Sequence, residues 1–217
     1  AVVVMALDRA QRGTSAAALR TSGTSAAPLR TSGTSAAPSA ARGTGDSEAI
    51  ERGVEWTVGL QSENGGWGAF DADNSDHYLN NIPFADHGAL LDPPTVDVSA
   101  RCISMLAQRG EPVDSPRMQA ALDYVLKDQL ADGSWFGRWG VNYIYGTWSA
   151  LCALNAAGMD GHAEPVRRAV DWLVSIQNPD GGWGEDCDSY RLDYDGHRPA
   201  PSVASQTGWA LLGLMAA

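Results

Sequence analysis

A short pattern of glutamine and tryptophan occurs three times in the chain and constrains its fold more than any other feature. In every copy an aromatic residue stands five positions before the glutamine, and a tryptophan stands six positions after it. The pairs are Gln61 and Trp67, Gln129 and Trp135, and Gln177 and Trp183. Constant internal spacing indicates a repeat architecture in which each copy forms one structural unit.

The residues before each glutamine have the spacing of an amphipathic helix. In the third copy, Val166, Ala169 and Leu173 fall on one helical face. The glycine after each glutamine can take a positive φ, which predicts the end of the helix there. A glutamine amide has two donors and two acceptor lone pairs, so it can join its own helix end to the start of a neighbouring helix. We interpret these glutamines and tryptophans as structural cross-links rather than ligand contacts.

Apolar stretches rich in alanine, serine, cysteine and leucine lie between the repeats and predict helices packed on both sides. They cover residues 96–108, 145–157 and 203–217, and residues 1–10 have the same character. Alternation of amphipathic and buried helices predicts an all-α fold with two concentric layers, an α/α barrel, although a superhelical solenoid would share this periodicity. Because both chain ends fall within such stretches, we expect an incomplete barrel, with residues 1–10 as a truncated inner helix.

Residues 11–45 differ from the rest in composition. The ten-residue unit Leu-Arg-Thr-Ser-Gly-Thr-Ser-Ala-Ala-Pro occupies positions 19–28 and again 29–38. It contains almost no large apolar side chain, so burial cannot offset the entropy lost on ordering. We expect a low-complexity flexible insertion at 11–45, with a phosphorylatable Ser/Thr arm as the alternative, and a partial α/α-barrel domain at 46–217.

The charge balance and the apolar runs exclude several classes of protein. A formal net charge of −11 argues against a cationic surface for nucleic acid. The longest apolar run, residues 1–7, is too short to span a bilayer. The three cysteines are far apart and indicate no disulfide framework.

A group of acidic residues after the first repeat raises the question of a bound divalent cation. We prefer capping and loop hydrogen bonds for these carboxylates, and the four histidines lack the paired spacing of a zinc site. No metal is therefore expected. The acidic residues are Asp71, Asp73, Asp76, Asp86 and Asp92.

Asp97 and Arg101 stand four residues apart on a predicted helix that is otherwise mostly apolar. Side chains with this spacing share one face of a helix. An ordinary ion pair on the helix surface is one interpretation. The apolar surroundings favour the other, a pair that belongs to a functional site.

The repeats resemble the QW motif of triterpene cyclases, and two further stretches narrow the resemblance to the squalene–hopene cyclases. The first stretch runs from Gly65-Gly-Trp-Gly-Ala-Phe70 to Asp92-Pro-Pro-Thr-Val-Asp97. The second is Gly133-Ser-Trp-Phe-Gly-Arg-Trp139-Gly-Val-Asn-Tyr-Ile-Tyr145. With Gly182-Trp-Gly-Glu-Asp-Cys187 and Ser205-Gln-Thr-Gly-Trp209, the resemblance covers essentially residues 46–217.

This resemblance implies an isomerase that cyclises squalene to hopene and related pentacyclic alcohols without a cofactor. Such enzymes are monotopic membrane proteins with two α-helical barrel domains, and an aspartate of an Asp-x-Asp-Asp motif protonates the terminal alkene. No such motif occurs in the 217 residues, so we expect the fragment alone to be inactive. The resemblance also implies a homodimeric full-length protein on the cytoplasmic face of a bacterial membrane.

The resemblance further implies roles for individual residues. Arg101 takes the position of a basic residue that orients the catalytic acid, and Asp97 is expected to fix that base. Aromatic faces stabilise carbocations without acting as nucleophiles. The resemblance implies that the cavity is lined by Phe70, Trp139 and Tyr145. It implies that Phe84 lies at the entrance constriction.

Two other functions fit the helix pattern. One is a non-catalytic α/α toroid that acts as a binding module. The other is a diterpene cyclase of the protonating type, which requires a basic patch for a diphosphate. The acidic composition of residues 46–217 gives that second alternative little support.

Overall fold

The computed structural model describes residues 40–74, 76, 78–79, 91–191 and 195–217, with side chains from residue 46 onward. The chain divides into one unit up to Gly59 and a second from Leu60. The described part of the first unit is the helix α1 (Ala40–Gly59). This helix begins within the predicted insertion at 11–45. The rest of that insertion and the helix predicted over residues 1–10 lie outside the described residues.

The described part of the second unit contains two kinds of helix. They are α2 (Val96–Arg109), α3 (Pro116–Lys127), α4 (Tyr143–Ala156), α5 (Glu164–Ser175) and α6 (Ala204–Ala216). The apolar helices α2, α4 and α6 pack side by side, with α4 in the middle. Small residues allow close approach, because Ala150 and Ala210 are fully buried and a side chain at Gly213 would press on the backbone of Trp148.

The amphipathic helices α3 and α5 form a second layer on the apolar helices. Helix α3 packs on α2, and α5 packs on α4 and α6. Helix α3 begins at a serine cap, where Oγ of Ser115 accepts a hydrogen bond from the N–H of Met118 and Pro116 follows the cap. The buried side chains of α3 recur with the helical period, and they are Met118, Ala121, Leu122 and Val125.

The predicted all-α class is confirmed for the described residues, which contain helices, turns and an isolated bridge between Glu185 and Pro199. The helices predicted at 96–108, 145–157 and 203–217 correspond to α2, α4 and α6, with ends that differ by at most two residues. Closure of the two layers into a barrel stays a prediction. Within the described ranges, no helix combines the length and apolarity needed to cross a membrane.

Candidate active site

Each repeat glutamine lies just beyond the end of an amphipathic helix and holds the turn that follows. Its Nε2 donates to the carbonyl of the glycine four residues later and, in the first two copies, to a carbonyl in the first turn of the next amphipathic helix. These bonds join Gln61 to Gly65 (2.8 Å) and Arg117 (3.1 Å), and Gln129 to Gly133 (2.9 Å) and Pro165 (2.8 Å). In the third copy, Gln177 donates to Gly181 at 2.8 Å and to no second carbonyl among the described residues.

The turn glycines do not end the helices as predicted. The helices end before the glutamines, at Gly59, Lys127 and Ser175, and the glycines lie in the next turn. Gly65 has a φ of 92° there, and a side chain at this position would also collide with the carbonyl oxygen of Ala120. Glycine is therefore required for both its left-handed backbone and the close approach of α3.

The tryptophans of the repeat are buried, and those of the second and third copies are bonded at two points. Nε1 of Trp135 donates to the carbonyl of Val125 at 2.7 Å, and Nε1 of Trp183 donates to that of Leu173 at 2.9 Å. The backbone N–H of each repeat tryptophan donates to a hydroxyl near the start of the next apolar helix. These hydroxyls, which were not predicted, belong to Ser99, Thr147 and Thr207. A Ser or Thr recurring at the fourth or fifth position of α2, α4 and α6 is the signal that could have found them.

We expect Gln129→Ala to destabilise the chain more than Gln177→Ala. The first substitution removes the bond to Pro165 and leaves part-buried groups without a partner, whereas Gln177 loses a single exposed bond. The expected losses are about 1–2 kcal/mol for Gln129→Ala and below about 0.5 kcal/mol for Gln177→Ala. Urea denaturation of the two variants measures both, and equal losses would contradict the cross-link interpretation.

Asp97 lies in the first turn of α2 and is fully buried. Its Oδ2 accepts a hydrogen bond from the backbone N–H of Trp139 at 2.9 Å. Its Oδ1 has no hydrogen-bond partner among the described residues. Asp97 therefore fixes the loop that carries Trp139.

Arg101 is held by aromatic rings and not by Asp97. Its Nη2 donates to Oη of Tyr145 at 3.3 Å, and its guanidinium carbon lies 4.8 Å from the centroid of the Trp148 ring. Within the described residues Arg101 forms no ion pair. The predicted contact between Asp97 and Arg101 is thus not made, because the short carboxylate is bonded to the Trp139 loop while the long arginine side chain reaches α4.

A second buried carboxylate supports the same loop. Oδ1 of Asp92 lies 3.1 Å from Nε of Arg138, and its Oδ2 accepts from the N–H of Ala69 at 2.6 Å. Burial raises the pKa of Asp92 above its ordinary value, the Ala69 N–H and the Arg138 charge oppose this rise, and the nearby Asp97 adds to it. Two neighbouring carboxylates therefore fix the consecutive residues Arg138 and Trp139.

The aromatic residues predicted for the cavity form two groups. Phe70 and Trp139 make a T-shaped pair with centroids 5.8 Å apart, and their side chains are 65% and 49% exposed. Tyr145 instead lies beside Arg101 and packs on Trp209 at 5.0 Å. Phe84, predicted for the entrance constriction, lies outside the described residues.

Two of the acidic residues weighed as a cation site accept backbone hydrogen bonds from loop residues. Oδ1 of Asp73 accepts from the N–H of Glu63 at 2.7 Å, as Asp92 does from Ala69. Asp86 lies outside the described residues. Over the described ranges no cluster of three or more histidine, cysteine or acidic residues could hold a metal ion.

Glu185 is a structural carboxylate that the sequence did not reveal. It is buried, and its two oxygens accept from the backbone N–H groups of Asn142 (2.9 Å), Tyr143 (3.0 Å) and Ile144 (3.1 Å). These three N–H groups lie at the start of α4, so the negative charge of Glu185 also faces the positive end of the helix dipole. Glu185 therefore fixes the end of α4 that carries Tyr145.

The assembled groups suit chemistry on positive charge in an apolar molecule. Ring faces attract cations, and a guanidinium stays protonated at any physiological pH. Arg101 can therefore donate hydrogen bonds to a carboxyl group, and the Phe70–Trp139 pair presents exposed aromatic surface. Asp97, in the first turn of α2, fixes the backbone of Trp139 by a hydrogen bond, and Tyr145 lies in the first turn of α4.

Comparisons with known proteins give the family. The model of the squalene-hopene cyclase C-terminal domain matches residues 35–217. The chain is 71% identical over 165 residues to the squalene–hopene cyclase of Zymomonas mobilis, which is 76% of this chain and 25% of that protein. It is 56% identical over 218 residues to the probable squalene–hopene cyclase of Sinorhizobium fredii, which is 100% of this chain and 30% of that protein.

A relative with another name is the dammaradiene synthase of Dryopteris crassirhizoma, 42% identical over 187 residues, which is 78% of this chain and 27% of that protein. The chain thus spans about a quarter to three tenths of the length of these curated relatives. The family model covers most of the chain, including every site residue described above. The chain therefore belongs to the squalene–hopene cyclase family, and its residues 35–217 match the C-terminal domain of that family.

Proposed function

We propose that this chain is part of a squalene–hopene cyclase, which cyclises squalene to hopene or hopanol through carbocations. The observation that carries the proposal is the guanidinium of Arg101 held against aromatic rings of α4, together with a second, exposed aromatic pair whose loop Asp97 of α2 fixes. Phe70 and Trp139 form one aromatic group, and Tyr145 lies against Arg101. The higher identity to enzymes named squalene–hopene cyclase favours hopene over a dammaradiene product.

The proposed mechanism begins with protonation, because squalene has no leaving group. A carboxyl group must donate a proton to the terminal alkene, and the positive charge then moves along the folded chain as rings form. The last cation loses a proton to give hopene or takes up water and then loses a proton to give hopanol. Each aromatic face in a dry cavity stabilises such a charge by about 1–2 kcal/mol. Trp139 and Phe70 take this role in the proposal, and Phe84 is assigned to the entrance by resemblance.

The acid itself comes from elsewhere in the full-length protein in this proposal, since the 217 residues contain no Asp-x-Asp-Asp. Arg101 orients that acid by donating a hydrogen bond to one carboxyl oxygen. Asp97 acts on Trp139 through the backbone bond of 2.9 Å. The chain alone is then inactive, and the full-length protein is a homodimer bound to one face of the bacterial cytoplasmic membrane.

We expect Trp139→Ala in the full-length enzyme to slow squalene cyclisation about tenfold and to release partly cyclised products. The loss of one ring face from a dry site removes about 1–2 kcal/mol of cation stabilisation, and 1.36 kcal/mol corresponds to a factor of ten in rate. Products from squalene in detergent micelles are identified by gas chromatography with mass spectrometry.

Trp139→Phe is the matched control, because it keeps an aromatic face and the backbone N–H bonded to Asp97. It should retain most of the activity and the product profile. An unchanged profile in Trp139→Ala would remove Trp139 from the site. Turnover of squalene by the 217-residue chain alone would contradict the proposed origin of the acid.

A further inference from the structure

Two aromatic rings of α4 contact the guanidinium of Arg101, and a ring of α6 packs on both of them. Its carbon lies 4.8 Å from the Trp148 centroid and 5.6 Å from that of Tyr145. The ring of Trp209 stacks on Trp148 with centroids 6.0 Å apart and planes 11° from parallel, and it meets Tyr145 at 5.0 Å. The three rings therefore contact one another, and those of Tyr145 and Trp148 also contact the arginine.

The placement follows from the packing of the apolar helices. Tyr145 and Trp148 stand three residues apart on α4 and share a face, and α4 packs between α2, which carries Arg101, and α6, which carries Trp209. Trp209 stacks on the Trp148 ring. The Trp148 ring is thus packed by a second indole as well as by the guanidinium of Arg101.

The indole N–H does not explain a tryptophan at position 148. Nε1 of Trp148 is buried, and the group within its reach is the thiol of Cys152, one turn further along α4. A thiol is a weak acceptor, so this contact gives little reason for an indole, and we infer that the residue contributes through its ring face. Phenylalanine offers a smaller ring face without the N–H, and leucine offers no π-system.

Among the described residues, Arg101 has few contacts apart from those with these rings. In the described part of the chain Arg101 has no carboxylate within ion-pair distance, and its single hydrogen bond is the 3.3 Å contact to Tyr145. A guanidinium stacks well on aromatic faces because it is planar and weakly hydrated. A long arginine side chain without such a support would sample several rotamers.

We propose that Trp148, backed by Trp209, is a positioning residue that holds the Arg101 guanidinium in the orientation needed to direct the catalytic acid. The proposal rests on the proposed function for the role of Arg101. Trp148 acts through the arginine in this scheme and touches neither substrate nor acid. Its loss should therefore lower kcat and leave KM for squalene nearly unchanged.

The test is a double-mutant cycle in the full-length enzyme with Trp148→Leu, Arg101→Gln and the combined variant. Trp148→Leu should lower kcat about tenfold and leave KM within twofold of the wild-type value. Trp148→Phe, which keeps a ring face, should keep kcat within about threefold of wild type. In the Arg101→Gln background, Trp148→Leu should have less than a twofold effect, because the group that it positions is gone. Equal effects of Trp148→Leu in both backgrounds would overturn the proposal.

Crystal structures of wild type and Trp148→Leu give a second readout that does not need activity. We expect one Arg101 conformer in wild type and several, or a displaced one, in Trp148→Leu. An unmoved Arg101 in a folded Trp148→Leu variant would overturn the positioning role. A wild-type enzyme that holds Arg101 as described but forms no cyclised product from squalene would instead overturn the proposed function.

Discussion

Replacing Glu185 by alanine is expected to destabilise the chain by at least about 3 kcal/mol. The substitution leaves three backbone N–H groups, those of Asn142, Tyr143 and Ile144, without their acceptor. Each unmet buried donor costs about 1–3 kcal/mol, and the loss of the carboxylate also removes a favourable charge from the start of α4. Helix α4 contacts both α2 and α6, so the whole apolar layer is affected.

Two control variants separate this capping role from a general effect of removing charge. Glu185→Gln keeps one carbonyl oxygen and should lose about 1–2 kcal/mol. Asp188→Ala removes an exposed carboxylate three residues later and should change stability by less than about 0.5 kcal/mol. Urea denaturation followed by circular dichroism measures all three variants. If Glu185→Ala were no less stable than Asp188→Ala, the capping role would be refuted.

Trp135→Ala is expected to cost about 3–5 kcal/mol, the range for removing a fully buried aromatic side chain. The Trp135 side chain is 0% exposed, and its Nε1 donates to Val125. The substitution leaves a cavity between α3 and α4 and an unpaired carbonyl near the end of α3. Trp135→Phe fills part of the cavity but loses the hydrogen bond, so it should cost about 1–3 kcal/mol.

Trp139 supplies a matched comparison, because it is a tryptophan of the same loop with half of its side chain exposed. We expect Trp139→Ala to change the unfolding free energy by less than about 1 kcal/mol. The same urea titrations test this contrast between a core tryptophan and a site tryptophan. A Trp135→Ala variant as stable as Trp139→Ala would show that the repeat tryptophan does not carry the packing.

Much of the helical framework could be predicted because its determinants are local. Contiguous stretches of sequence contain the apolar residues of α2, α4 and α6. They also contain the constant spacing of glutamine, glycine and tryptophan. Hydrogen bonds over four residues, such as that from Gln129 to Gly133, need only one turn to form. The ends of the helices were less predictable, because a glycine that can end a helix can equally stand in the following turn.

The contacts of the site could not be predicted in the same way. The spacing of Asp97 and Arg101 places both side chains on one face of α2, yet their partners lie on a loop and on α4. A carboxylate binds whichever donor reaches it, and here a backbone N–H does. Ser99 and Glu185 were missed for the same reason, since their partners are 32 and 41 to 43 residues away.

The sequence by itself determined the alternation of apolar and amphipathic helices and the glutamine turns that join them, because the period of a helix and the conformation of glycine act over a few residues. Only the tertiary structure decided that aromatic rings contact Arg101, that Asp97 accepts a hydrogen bond from the Trp139 loop, and that Glu185 caps the start of α4. These interactions join segments that are distant in the chain, and the packing of α2, α4 and α6 selects them from many chemically equivalent pairings.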